Sequence, residues 1–169
     1  NKCSFNKGAG MRVSAAGHPR VCGANEFFSN VGAGVLVLQA GLGDFEENII
    51  FSNGGAGVEV RDAGSDPKLR ANTIKDGKSQ GVFVHGCGLG RFEENDVFAN
   101  VAAGVEVTTE GHPVFCNSNL IHDGCLSGVL VHDSGRGVYD NNEVYNNACA
   151  GFEVATGGAP TASGNLIRS

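Results

Sequence analysis

His85 and His132 each sit one residue beyond a valine, in Gly81-Val-Phe-Val-His85 and Gly128-Val-Leu-Val-His132, and Asp133 follows the second directly. Arg61 and Asp62 hold the matching place in Gly57-Val-Glu-Val-Arg61-Asp62. A side chain that titrates near neutrality, set beside carboxylates and a fixed cation, is equipped for general acid–base work. Arg61, Asp62, His85, His132 and Asp133 therefore form a candidate catalytic stripe. A solvated outer face collects the same residue types, and Leu38, Thr108 and Ala155 stand in the same column. The reading that follows is a surface without catalytic residues, and the stripe is kept as the alternative.

A second column lies two residues before the first. It reads Arg12, Leu36, Glu59, Phe83, Glu106, Leu130, Glu153, alternating apolar and charged types. If successive members occupy successive strands, Leu36, Phe83 and Leu130 recur about every 9.6 Å and make a flat amphipathic strip. Flat strips suit protein partners better than enclosed small molecules. Leu36, Glu59, Phe83, Glu106, Leu130 and Glu153 are accordingly the expected binding face. Elsewhere Glu46, Arg70 and Glu93 stack opposite charges, exposed pairs each worth about 0–1 kcal/mol.

Other chemistries find little support. The chain carries 12 basic and 18 acidic residues, net −6, so neither nucleic acid nor an anionic membrane surface is an expected partner. No apolar run reaches the roughly 18 residues of a spanning helix. The six cysteines fall at unlike places with no zinc spacing, so neither a metal nor any other cofactor is expected. Cys22 and Cys116 share a column four turns apart, about 19 Å, beyond disulfide reach. Only Cys125 and Cys149 could approach each other. Mostly free thiols and the lack of an Asn-x-Ser/Thr acceptor give the expectation of an intracellular protein, cytoplasmic or nuclear.

What must position these columns is a repeat. Asn recurs at 1, 25, 48, 72, 95, 119, 142 and 165, a period of 23 or 24 residues. Nine residues after each of the first seven stands Gly, then an apolar residue, a variable one and Val (13, 37, 60, 84, 107, 131, 154). A further Gly recurs at 17, 41, 64, 88, 111, 135 and 158, which helps explain why 27 of 169 residues are glycine. Each unit contains period-2 stretches broken by Gly, Asn and Pro, without helical spacing. One unit cannot bury its apolar face, so the units must stack. The expectation is an all-β, right-handed parallel β-helix of about seven turns with three short strands per turn. It forms a single domain over residues 1–169, a segment of a longer protein or assembly. Apolar columns through Phe27 and Ile50, through the valines, and through Phe45 and Phe92 fill its bore. Open ends make end-to-end assembly or flanking domains expected. The Gly-x-Gly pairs, such as Gly41-Leu-Gly43, read as bends rather than phosphate loops, since no helix follows them. The Asn columns read as structural ladders.

Residues 72–124, with their N-x-I-x-D-G, G-x-G-x-x-E-x-N-D and A-G-V-x-V patterns, resemble the β-helix of the F-box-only protein 11 family. That resemblance implies a carbohydrate-binding and sugar-hydrolase type repeat that recognises proteins for ubiquitination, although no F-box helices are present. The resulting expectation is a non-catalytic scaffold for a protein partner, or a structural subunit. The alternative is a carbohydrate-binding or carbohydrate-active β-helix of lyase, hydrolase or epimerase type, with glycan as a less favoured partner.

Overall fold

The structure, a computed structural model, describes residues 1–168. It contains 22 short strands, nearly all of three residues, and no helix among the described residues. They form three parallel sheets: one of eight strands beginning with Lys2–Ser4 (sheet 1), one of seven beginning with Met11–Val13 (sheet 2), and one of seven beginning with Arg20–Cys22 (sheet 3). Every third strand in the chain pairs with the last of its kind, in register, as in Ile50 to Ile74 to Val97 or Val60 to Val84 to Val107. This is the expected three-stranded parallel β-helix of about seven turns.

The bore is filled by the expected columns. Phe27, Ile50, Ile74, Val97, Ile121 and Val144 come from sheet 1, the valines from Val13 to Val131 from sheet 2, and Phe45, Leu69, Phe92, Phe115 and Tyr139 from sheet 3, all of them buried; Val154, in the last turn, is exposed. Phe92, Phe115 and Tyr139 stack nearly parallel, with centroids 4.3 and 5.5 Å apart. A single turn cannot cover its own bore residues, so their burial is achieved by the neighbours above and below.

The anchor Asn column holds the corner between sheets 3 and 1, and the second Asn column the corner between sheets 1 and 2. Each anchor side chain donates to the Oδ1 of the anchor one turn on, in seven unbroken links from Asn1 to Asn165, at 2.8–3.0 Å. The same amides satisfy backbone carbonyls that the corner turns inward, as Asn95 does for Leu69. The second ladder, Asn6 to Asn30 to Asn53, is interrupted where Gly77 and Gly124 take the position, and their backbone N–H groups donate to Asn100 and Asn147 instead.

The recurring glycines are chiefly a matter of close approach. At Gly34 an added Cβ would lie 2.4 Å from Ile50, and at Gly135 it would lie 2.3 Å from the Val107 carbonyl of the turn before. One expected position shifts: the tight turn after strand Val58–Arg61 closes from Asp62 to Ser65, one residue later than in the other turns, so buried Ser65, not Gly64, takes the glycine's place. The extra residue of that turn is absorbed beside Asp62, at the edge of sheet 2.

Candidate active face on sheet 2

The side chains that point outward from sheet 2 belong to the two columns singled out in the sequence, and the structure interlocks them. His85 Nε2 lies 3.1 Å from Glu59 Oε1, and Arg61 Nε lies 3.6 Å from the same oxygen. Two turns further on, His132 Nε2 lies 3.3 Å from Glu106 Oε1 while its Nδ1 lies 2.9 Å from Asp133 Oδ2. Each His–Glu pair thus joins a residue of the polar stripe to one of the amphipathic strip. The pairs repeat because the sequence alternates over two turns, and two strand spacings put them about 9.6 Å apart.

The two pairs differ in chemistry. His132 meets carboxylates at both ring nitrogens, so both can donate only if the ring is the imidazolium. Partial burial works against that charge, but the hydrogen bonds to Asp133 and Glu106 outweigh it and raise the pKa above its ordinary value. His85 has one carboxylate partner, Glu59, and its ring stacks on Phe83 with centroids 4.3 Å apart. Among the described residues His85 Nδ1 has no carboxylate contact, so the two imidazoles are differently partnered.

The remaining strip residues are less bare than the sequence suggests. Leu36, Phe83 and Leu130 are half-buried, with Phe83 partly covered by His85. Gln80 donates to Glu106 at 2.9 Å and Ser127 to Glu153 at 2.5 Å. Asp62 is not drawn to His85; its carboxylate accepts the Gln39 backbone N–H at 3.1 Å. Asp62, which opens the turn Asp62–Ser65, has positive φ, and so do Asp133 and Ser134, the central residues of the tight turn from His132 to Gly135. That bend aims Asp133 back at His132.

One further cluster is not among the sequence expectations, and another differs from them. On sheet 1 the outward column Phe28, Phe51, Lys75, Phe98, His122, Tyr145 forms a stack, with His122 between Phe98 and Tyr145 and its nitrogens 2.9 Å from Asp96 and 2.6 Å from Asp123. The column was legible as residues three beyond each Asn anchor. On sheet 3, Arg70 pairs with Glu46 as expected, but its other partner is Glu94 rather than Glu93, which instead accepts from Arg91. Among the described residues no three His, Cys, Asp or Glu side chains converge as metal ligands would, and no helix is long and apolar enough to cross a membrane.

Comparison with known proteins places the fold. Residues 1–118 match the family described as right handed beta helix region, and the chain belongs to that family. Among solved structures it is similar to the periplasmic alginate epimerase AlgG, with 14% identity, 97% of this chain covered and a TM-score of 0.76. It is also similar to the A-modules of the Azotobacter vinelandii mannuronan C-5 epimerases AlgE6 and AlgE4, at 17% and 13% identity, covering 97% and 94% of this chain with TM-scores of 0.58 and 0.54. The chain spans 43%, 56% and 60% of those three proteins. No curated protein matches the sequence, so the F-box-only protein 11 resemblance gains no support.

These findings correct the expectation of a non-catalytic scaffold for protein partners. The solved structures the chain is similar to are epimerases named for alginate and mannuronan, and at these identities they show the fold alone. The physical reason is on the face itself: Glu59 and Glu106, expected to frame an apolar docking strip, are occupied as partners of histidines.

Proposed function

We propose that the chain is a carbohydrate-active β-helix that holds a polysaccharide along the outer face of sheet 2 and performs acid–base chemistry on a uronate residue. The observation that carries this reading is the pair of His–Glu contacts in equivalent register, one imidazole carboxylate-bound on both sides and the other on one. In the proposed reaction His85, oriented by Glu59, takes the proton from the carbon next to the sugar's carboxylate through Nδ1. The C–H electron pair passes into the carboxylate as an enolate; His132, held as the imidazolium by Glu106 and Asp133, then gives a proton to that carbon, and both rings are reset by proton exchange with water. Arg61 supplies the fixed cation that offsets the substrate carboxylate. The likeness to alginate and mannuronan epimerases supports the substrate class; the residue roles rest on the geometry here.

The test is a turnover assay on uronate polymers with the His85→Gln, His132→Gln and Glu59→Gln variants. The reading expects product from the native chain, loss of at least 100-fold with His85→Gln, and a smaller loss with Glu59→Gln. Equal rates in native and His85→Gln protein would remove the proposed base.

A further inference from the structure

Sheet 3 carries a charged cleft that the face on sheet 2 does not use. It has a volume of about 440 Å³ and is lined by Arg20, Asp44, Glu46, Lys68, Arg70, Arg91 and Glu93 over the rings and side chains of the bore. Arg20, Asp44, Lys68 and Arg91 occupy one outward column in direct register. Lys68 and Arg91 are neighbours on adjacent strands, about 4.8 Å apart, where like charges repel.

The acids around them do not neutralise this column. Arg70 is taken by Glu46 and Glu94. Asp44 faces His18 at 3.5 Å, and Glu93 engages only the Nε of Arg91, at 2.5 Å. Among the described residues neither Arg20 nor Lys68 has a carboxylate at ion-pair distance. In a chain of net charge −6, a groove that leaves two cations unpaired and sets two side by side is complementary to an anion.

We infer that this cleft binds an acidic oligosaccharide, its carboxylates held by Arg20, Lys68 and Arg91 and its hydroxyls donating to Asp44 and Glu93. The mixture of signs selects the ligand. A DNA backbone presents phosphates without matching hydroxyl donors and would be repelled by the interleaved carboxylates. A sugar chain bearing acids offers both partners at once. The inference borrows its ligand class from the proposed function, but its site lies on a different sheet and its residues take no part in the proposed chemistry.

The experiment is titration calorimetry of the native chain with a mannuronate hexamer, a neutral hexose hexamer and a single-stranded oligonucleotide at low salt, repeated with a Lys68→Gln/Arg91→Gln double variant and with His85→Gln/His132→Gln. Both variants change exposed or half-exposed side chains, and circular dichroism checks that each retains its fold. The expected result is binding of the acidic hexamer alone, weakened at least tenfold by the Lys68/Arg91 change and by raised salt. If the acidic hexamer binds but only the His85/His132 change weakens it, the cleft is excluded while the face on sheet 2 stands. No binding of the acidic hexamer, equal binding of the neutral one, or tighter binding of the oligonucleotide through Lys68 and Arg91 would each overturn the inference, whatever the turnover assay gives.

Discussion

At the scale of single residues, His132 is the most informative group. Its pKa is raised in the folded chain because the hydrogen bonds to Asp133 and Glu106 outweigh the opposing burial. A histidine whose folded pKa exceeds its unfolded value stabilises the fold below the unfolded pKa, about 6.5, and loses that contribution as pH rises through the folded value. His132→Gln should therefore lower the melting temperature more at pH 5.5 than at pH 8.5, and an equal drop at both would show that the two contacts do not hold its charge. The thiols give a second residue-level prediction. Cys22, Cys125 and Cys149 are exposed, whereas Cys116 is buried and its pKa is raised, first by that burial and against the opposing charge of Arg91. Alkylation of the native protein, mapped by mass spectrometry, should label the first three well before Cys116; early labelling of Cys116 would contradict its placement. His85 and His132 were legible in the sequence as titratable residues in one column. Their partners were not, because Glu59 and Glu106 lie 26 residues away on neighbouring strands and belong to the adjacent column.

At the scale of the repeated element, the corners rather than the strands set the register. Strands of three residues offer few ladder bonds, so each turn depends on the Asn links and on glycines that let successive turns approach. Gly135→Ala would place a methyl 2.3 Å from the Val107 carbonyl, and overpacking of this kind costs about 1–3 kcal/mol. Gly8→Ala meets nothing within 4 Å and is the matched control. Thermal denaturation should separate the two clearly, and equal melting temperatures would show that the turns can spread. Asn95→Ala would likewise leave the Leu69 carbonyl and the Asn72 N–H without their partners. Each buried group so orphaned costs about 1–3 kcal/mol, so this variant should melt well below an exposed Asn141→Ala. The period, the three strands and the bore columns could be read from the sequence, since identical chemistry recurred at fixed spacing. The displaced turn at Asp62–Ser65 could not, because a 24-residue unit does not reveal which corner takes up its extra residue.

At the scale of the whole molecule, the rod separates two surfaces of different character. Sheet 2 offers paired acid and base groups among carboxylates, and sheet 3 offers unpaired cations in a groove. The turns are too regular to build a walled pocket, so a ligand must lie against strand faces, which favours a long polymer over a small molecule. The first reading of sheet 2 as a protein-docking strip followed from apolar residues recurring every second turn; their half-burial beneath neighbouring side chains was not visible until the strands were in place. The most direct test of the account is the fate of the hydrogen on the carbon next to the carboxylate. Incubation of a uronate polymer with the chain in deuterium oxide, followed by proton NMR of that position, should show loss of its signal with the native protein and none with His85→Gln. Full retention of the hydrogen with the native protein over the same incubation would contradict the proposed acid–base role of the sheet 2 face.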